Sequence, residues 1–537
     1  MRLIIKDYLL QLKEKDELDL LLCDLLLQMG FITDNKPETG NRQYGVDIRA
    51  HNSNEILLFV VKQGNLTRQT WSSGPNAVRQ SLEEINDVYL GFLKGNDRKK
   101  KIRIVVATNG MIDEAVRPQW DGYTSNNSNV QGMNVQFEFW NIDLITDLLQ
   151  KHLLDEHAFT VEMQKLLRRA LYFVEERDYR PDFYEQIIDQ YMDALNVDNT
   201  KARKKALTSV HLASQMIAQY SADAGVYKIS VMVSEYLIIR YWKYLLKHDV
   251  LGEPVHREWL HKYLKSYEKW SDAYYMSVRC CCDGATPLPP CNSVEKRVIL
   301  YEMVGYLASY AYYLSYIGVF NPSARNKCSQ ITDSIIRLLN NHTEFHYAPY
   351  DRHIGIISML YRLLDRLGRT NDVHALIQMQ CHRVAYNYQD FKKYPTPTDD
   401  FEDAVNIDMG IPAEEYVTTA YWGVMLEWMV LYEQKDLYDS LHPFLAVDLA
   451  GVTKCVWFLR SDEEEHLYES FVMFKAGEGV VIDLPSSFEE LKKVVNFILK
   501  QYKKDVFSYE TYSFDALEFI AARYFNALVR VKKEPHI

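Results

Sequence analysis

No segment of this 537-residue chain is a long apolar run free of charge. The nearest approach, VILYEMVGYLASYAYYLSYIGVF (298–320), carries Glu302 and a series of tyrosines. A carboxylate in a bilayer core is costly, so this stretch is expected to be a buried aromatic helix and no membrane partner is expected. A secretory leader is missing too. The start, MRLIIKDYLLQLKEKDELDLLL, places acidic residues early and shows no cleavage site. Cysteine is sparse and scattered: Cys23, Cys280, Cys281, Cys282, Cys291, Cys328, Cys381 and Cys455 do not form the framework of a secreted, disulfide-stapled domain. Together these absences predict a cytoplasmic protein.

Positive charge is in deficit. Lys and Arg total 61 against 73 Asp and Glu, a net charge of −12 with a pI near 5.7. That balance does not suit a general nucleic-acid coat protein, and any contact with DNA or RNA has to come from local basic patches. The Walker A, GxGxxG and HExxH patterns are absent, which argues against an intrinsic NTPase, a dinucleotide enzyme or a zinc protease. The spacing CCC-DGATPLPP-C (280–291) is poor for zinc, because three adjacent cysteines cannot all face one ion. These are expected to be buried or loop thiols.

What is present is ordinary globular composition, 47% hydrophobic and 25% charged, in a chain long enough for two or more domains. Its texture changes near residue 155. Before that point helix and strand patterns mix. KDELDLLLCDLLLQM (15–29) has leucines at helical spacing, and Gly30 ends the helix. A short strand at 31–33 and a turn-rich stretch lead to two strand-like runs, YGVDIRAHN (44–52) and EILLFVVKQGN (55–65), joined by a polar turn. A loop follows, with Pro75 suited to a helix start, and the next helix runs to about residue 94. KIRIVVATNG (101–110) and NVQFEFWN (134–141) read as strands, and IDLITDLLQKHLL (142–154) as a closing helix.

After residue 155 strand signals nearly vanish. Helices are predicted over 199–220, 226–248, 255–276, 293–318, 330–340, 353–369, 411–433, 487–503 and 513–530, with Pro- and Gly-rich breaks near 283–292 and 394–410. TKCVWFLR (453–460) and GVVIDLP (479–485) are candidate short strands, and SDEEEH (461–466) a charged helix start. No fixed-period repeat supports a named solenoid. The 38 tyrosines suit helix packing, and tyrosine is also favoured at interfaces, which allows for an oligomer.

Chemistry concentrates on Asp47 and Lys62, near the ends of the two adjacent strand-like runs. Phosphodiester hydrolysis needs carboxylates to hold a divalent metal and a lysine near the attacking water. Two residues before Lys62, on the same strand face, stands Val60, which has no ligating side chain. The backbone carbonyl of Val61 remains as a ligand beside Asp47.

The element order, with ELDLLLCDLLLQMGF, YGVDIRAH, LLFVVKQG and VVATNG in sequence, resembles the restriction-endonuclease-like PD-(D/E)XK nucleases. It is nearest to the Mrr-like group and to nuclease domains of bacterial anti-phage effectors. The resemblance covers roughly residues 1–155. It implies an α/β domain with a central mixed sheet flanked by helices, followed by a large, mostly α-helical region over 156–537 that senses, oligomerises or binds a partner. It also implies Mg²⁺ (or Mn²⁺) and cleavage of DNA, RNA not being excluded, in a defence system that includes a partner ATPase or another subunit. The family pattern carries Glu or Gln where this chain has Val60. The missing ligand then comes from the first helix (Asp19, with Glu17 beside it), from the helix after the lysine strand (Glu84 or Glu83), or from Gln63 swinging inward at a bulged strand end. Alternatively the domain is a degenerate nuclease fold that binds nucleic acid or docks in a complex, or the helical part is a scaffold and carries the function.

Two further features bear on nucleic acid. The loop after Lys62 offers Asn65, Thr67, Arg68 and Gln69 for phosphate and sugar contacts and Trp71 for stacking. DRKKKIR (97–103), with Lys99, Lys100 and Lys101, and TKARKKAL (200–207) offer charge for a phosphate backbone, or are simply solvated corners.

Overall fold

The computed structural model describes residues 2–34, 44–73, 77–130, 132–153, 161–175, 180–196, 200–289, 291–393, 395, 400–411, 417–458, 478–501, 515–529, 531–534 and 536. The expected start at Pro75 and the 461–466 cluster lie outside them. The chain forms two compact units, Met1–Ser230 and Val231–Ile537.

The first unit is built on a six-stranded mixed sheet. Its elements are α1 (Arg2–Gln11), α2 (Asp19–Gln28), β1 (Ile32–Thr33), β2 (Ile48–His51), β3 (Glu55–Lys62), α3 (Arg68–Ser72), α4 (Val78–Glu84), α5 (Leu90–Phe92), β4 (Lys101–Thr108), α6 (Arg117–Asn126), β5 (Asn129–Val130), β6 (Met133–Trp140) and α7 (Ile142–His152). Three more helices, α8 (Val161–Glu175), α9 (Asp182–Asp193) and α10 (Thr200–Asp223), complete it. The spatial strand order is β1-β2-β3-β4-β6-β5. β2 runs antiparallel to β1 and β3, while β3, β4 and β6 are mutually parallel.

The strand sequences explain this layout. β3 (EILLFVVK) is buried from Ile56 to Val61, and β4 is nearly as apolar, as expected of central strands covered on both faces. The β2–β3 hairpin closes where the Asn52 side chain accepts the N–H groups of Asn54 and Glu55 at 2.8 and 2.9 Å. Ile56, Leu58 and Val60, with Ile102, Ile104 and Val106 of β4, share one core with Val78 and Leu82 of α4, Trp71 of α3 and Trp120 of α6. The alternate residues face the other way, where Phe59 meets Trp140 edge-on at 5.1 Å.

The texture change near residue 155 marks the end of the sheet rather than the end of the compact unit. α8, α9 and α10 pack on one another, and α10 packs on α1. Ser209 Oγ donates to the Leu153 carbonyl at 2.5 Å.

The second unit is mostly helical. It begins within α11 (Tyr227–His248) and continues through α12 (Pro254–Cys282), α13 (Ser293–Ile317), α14 (Pro322–Asn341), α15 (Ile354–Arg366), α16 (Thr370–Phe391) and α17 (Phe401–Asp408). Then come β7 (Thr418–Thr419), α18 (Ala420–Leu431), α19 (Lys435–Val447), β8 (Thr453–Phe458), β9 (Glu478–Ile482), α20 (Phe488–Gln501) and α21 (Asp515–Phe525). β8 and β9 are the two short strands expected from the sequence, and β7 adds a third to their sheet. The aromatic run 298–320 is α13, buried along most of its length. Among the described residues no helix is long and apolar enough to cross a membrane. Cys280, Cys281 and Cys282 end α12 as exposed, half-buried and buried thiols, pointing three ways as adjacent helical residues must.

Candidate active site

Asp47 sits immediately before β2 and is fixed on both sides. Its N–H donates to the Phe59 carbonyl at 2.8 Å, and its Oδ2 accepts the Val61 N–H at 2.7 Å. The ladder register ends at Ile48 and Phe59. Because the Asp47 N–H also points at the Phe59 carbonyl, Asp47 sits just beyond the ladder, out of regular pairing with Val60. Asp47 and Lys62 meet at the joined ends of β2 and β3, where the Lys62 charge acts on the Asp47 carboxyl. The Asp47 loop is held close to α4, where a Cβ on Gly45 (φ +82°) would come within 2.2 Å of the Ser81 carbonyl oxygen.

Lys62 does not reach for solvent. Its Nζ pairs with Glu14 Oε1 at 3.1 Å, both side chains being mostly shielded. Glu14 opens the turn between α1 and α2, in which Lys15 is extended and Asp16 is left-handed (φ 65°). Asp19 follows at the start of α2, 3% exposed, with its Oδ1 on the Leu20 N–H at 2.7 Å. Burial pushes the Asp19 carboxyl above its ordinary range. Burial does the same to Asp47. The Val61 N–H and the Lys62 charge oppose that rise, while Glu14 and Asp19 add to it. Burial thus disfavours ionising both Asp47 and Asp19.

The other candidates for the ligand missing at Val60 lie elsewhere. Glu17 turns back to its own loop and accepts the Lys13 N–H at 2.8 Å. Gln63 is exposed in the bend after β3, and Glu84 is exposed on α4. Glu83 pairs with Arg79 at 2.9 Å and lines a cleft of about 450 Å³ that also touches Trp71 and Tyr123. Val60 is fully buried in the core. Among the described residues, no three His, Cys, Asp or Glu side chains converge closely enough to hold a metal ion by themselves.

The loop after Lys62 is more structural than its composition implies. The Asn65 side chain accepts the Met111 N–H at 2.9 Å, tying this loop to the one after β4. Thr67 caps α3 in a reciprocal box with Thr70. Trp71 is 1% exposed and packs edge-on to Trp120 and Tyr123, so its ring face is spent on the core. Arg68 and Gln69 remain exposed on α3. Lys99, Lys100 and Lys101 lie at the opposite end of the sheet. Lys101 pairs in register with Glu55, whereas Lys62 pairs with Thr108. Seven residues at strand rise separate the two ends by about 23 Å. Lys100 is engaged by Asp97 at 3.1 Å.

Two residues not singled out from the sequence shape this site. Glu14 falls one residue outside the predicted helix 15–29. The polar run KEKDEL interrupts two apolar stretches there, but its helix-favouring residues mask the turn. Asn109 follows β4 within the VVATNG run, and its side chain is buried against the ends of both α1 and β3. Compared with protein-family models, curated proteins and solved structures, this chain finds no match in any of the three.

Proposed function

We propose that the first unit is a restriction-endonuclease-like, PD-(D/E)XK-type nuclease that hydrolyses phosphodiester bonds in DNA. The observation that carries the reading is the meeting of Asp47 and Lys62 at the joined ends of β2 and β3, with the Lys62 charge acting on Asp47 and the Glu14 carboxylate 3.1 Å from the lysine. Strand order supports it: an antiparallel hairpin bearing Asp47 and Lys62, followed by parallel β4 and β6.

The Asp47 carboxylate and the Val61 carbonyl are the groups offered to a divalent cation, and among the described residues no cluster of three acids converges there as the structure stands. Asp47 offers a carboxylate that burial and two acidic neighbours make reluctant to ionise, a demand for positive charge that Lys62 meets only in part. Both polar groups of one strand residue point to the same neighbouring strand. The Val61 N–H is on Asp47, so its carbonyl faces that side and joins Asp47 as the second ligand. Glu14 or Asp19, whose charges act on Asp47, would complete the set in place of the acid absent at Val60. Bound there, Mg²⁺ or Mn²⁺ would supply Lewis acidity toward the phosphate and a more acidic water. Lys62, whose charge acts on Asp47, stabilises charge on the phosphoryl oxygens and orients the water. Arg68 and Gln69, exposed just past the strand end, are the groups of that loop still available to backbone phosphates.

The helical second unit is then the sensing, oligomerising or partner-binding part of a defence effector. The experiment is cleavage of duplex DNA, with an RNA arm, in Mg²⁺ and Mn²⁺ by wild type, Asp47→Ala and Lys62→Ala. Loss in both variants supports the site. Equal cleavage by all three overturns it.

A second reading has its own observation: Val60 is buried in the core, where a nuclease would present an acid. On that reading the domain is a degenerate nuclease fold that binds nucleic acid or serves as a scaffold subunit. Crystals soaked in millimolar Mn²⁺ that show no metal at Asp47, with DNA binding retained, favour it.

A further inference from the structure

Asn109 is 1% exposed and directly follows Thr108, the residue in register with Lys62. Its carboxamide makes three hydrogen bonds to backbone groups of two other elements. Oδ1 accepts the Gly64 N–H at 2.7 Å, two residues beyond Lys62. Nδ2 donates to the carbonyls of Leu9 and Leu12 at 2.8 and 2.9 Å, at the end of α1 and two residues before Glu14. One side chain therefore grips both the strand end that carries Lys62 and the helix end that leads into Glu14.

The chemistry of the grip is specific to a carboxamide. It needs one acceptor on the β3 side and a two-hydrogen donor on the α1 side. Aspartate would satisfy Gly64 but turn an oxygen toward two carbonyl oxygens. Alanine or leucine would take this partner from the Gly64 N–H and the Leu12 carbonyl and leave the Leu9 carbonyl with the Leu12 N–H. Neighbouring contacts keep the grip tight. A Cβ on Gly110 would fall 2.4 Å from the Gly64 carbonyl carbon, so the two loop backbones touch. The Thr108 hydroxyl donates to the Gly64 carbonyl.

We propose that Asn109 is the positioning residue of the Lys62–Glu14 pair, setting the spacing at which the lysine and the α1–α2 turn meet; the proposal rests on the nuclease reading of that site. Asn109 touches neither substrate nor metal and acts through Glu14.

The test uses the full chain with Asn109→Asp, Asn109→Ala, Glu14→Gln and the double variant Asn109→Asp/Glu14→Gln. Two quantities are read: the crystallographic Lys62 Nζ–Glu14 Oε1 separation, and the single-turnover cleavage rate at saturating Mg²⁺. Asn109→Asp is expected to open the pair beyond 4 Å and slow cleavage by about 10- to 100-fold, the scale set by misplacements near 1 Å. Added to Glu14→Gln it should cost little more, because both changes break one linkage. Asn109→Ala brings in no charge and gives the same readouts if the aspartate variant folds poorly. A separation still near 3 Å in the variants, or losses that multiply in the double variant, overturns the proposal. If the wild type cleaves neither DNA nor RNA, the nuclease reading fails, and the measured separation alone decides whether Asn109 sets the pair.

Discussion

Glu14 Oε1 lies 3.1 Å from Lys62 Nζ across 48 residues of sequence, joining the turn after α1 to the end of β3. The pair is partly shielded from water, so each partner holds the other more firmly than an exposed ion pair would. Lys62→Met should reduce cleavage by roughly a hundredfold or more, because it removes charge stabilisation at the reacting phosphate. Glu14→Gln should act differently. It breaks the linkage that holds Lys62 and also removes a carboxylate from the cation's surroundings, so beside a slower saturated rate the Mg²⁺ concentration for half-maximal rate should rise by about tenfold. Titrating Mg²⁺ against cleavage rate separates the two. Identical Mg²⁺ curves for wild type and Glu14→Gln would count against a metal role for Glu14.

Asp47 has a pH signature of definite sign. Burial holds its folded-state pKa above the ordinary value of 3.8, with Glu14 and Asp19 adding to the rise. The folded state therefore binds a proton more readily than the unfolded chain. Stability falls as pH climbs from 3.8 through the raised value, and stays reduced above it. Asp47→Asn should remove that penalty and raise the melting temperature at pH 7, while abolishing Mg²⁺-dependent cleavage. Millimolar Mg²⁺ should stabilise the wild type and leave the variant unmoved, since a ligand that binds only the folded state adds stability by mass action. Calorimetry with and without Mg²⁺ reads both. A variant less stable than wild type at pH 7 would contradict the assignment.

Gly45 tests the loop that holds Asp47. It combines φ +82° with a Cβ position 2.2 Å from the Ser81 carbonyl oxygen. Gly45→Ala must push the loop off α4, which should lower stability by about 1–3 kcal/mol and cleavage by about tenfold or more. Gly30→Ala is the matched control. Its φ of +93° carries similar strain, but a Cβ there meets nothing within 4 Å. It should cost stability alone. Equal cleavage by the two variants would show that the loop does not set Asp47.

The parts of the site visible in the sequence were those written into local pattern. β3 and β4 announce themselves as apolar runs, and a polar turn between two such runs marks the hairpin that places Asp47 near Lys62. The α1–α2 turn was hidden because its residues, KEKDEL, have high helix propensity, and only the backbone at Lys15 and Asp16 breaks the helix. Asn109 was hidden for another reason. A turn asparagine is common, and nothing local shows that its partners are Leu9, Leu12 and Gly64. Trp71 and Asn65 mislead in the opposite direction: polar and aromatic residues in a loop look like contacts for a ligand, yet the fold uses both to fasten the loop to itself. The basic run at 97–103 is close to Lys62 in sequence but, because β3 and β4 are parallel, sits at the far end of the sheet.

In the second unit, Arg362 and Glu534 are both 0% exposed and joined at 2.6 Å. The same guanidinium donates to Glu518 at 3.0 Å and to the Tyr312 hydroxyl at 3.0 Å, and lies over the Phe519 ring. The Glu534 N–H donates to Asp365 at 2.6 Å, and Tyr312 donates to its carboxylate at 2.7 Å. The segment around Glu534 is thus clasped into the helical core by charge rather than by apolar packing alone. Desolvating these groups was costly, so the pair adds little when intact but much is lost when one side goes. Glu534→Ala should destabilise this unit by roughly 3–5 kcal/mol, leaving Arg362 short of charge compensation. Arg362→Met should cost less than the sum of separate losses when combined with Glu534→Leu, because the double change removes both charges. Hydrogen exchange of peptides spanning 354–366 in the full chain reports the unit's opening free energy directly. Protection unchanged by Glu534→Ala would mean that the clasp is not part of this core, and losses that simply add in the double variant would mean that the two groups do not act as a pair.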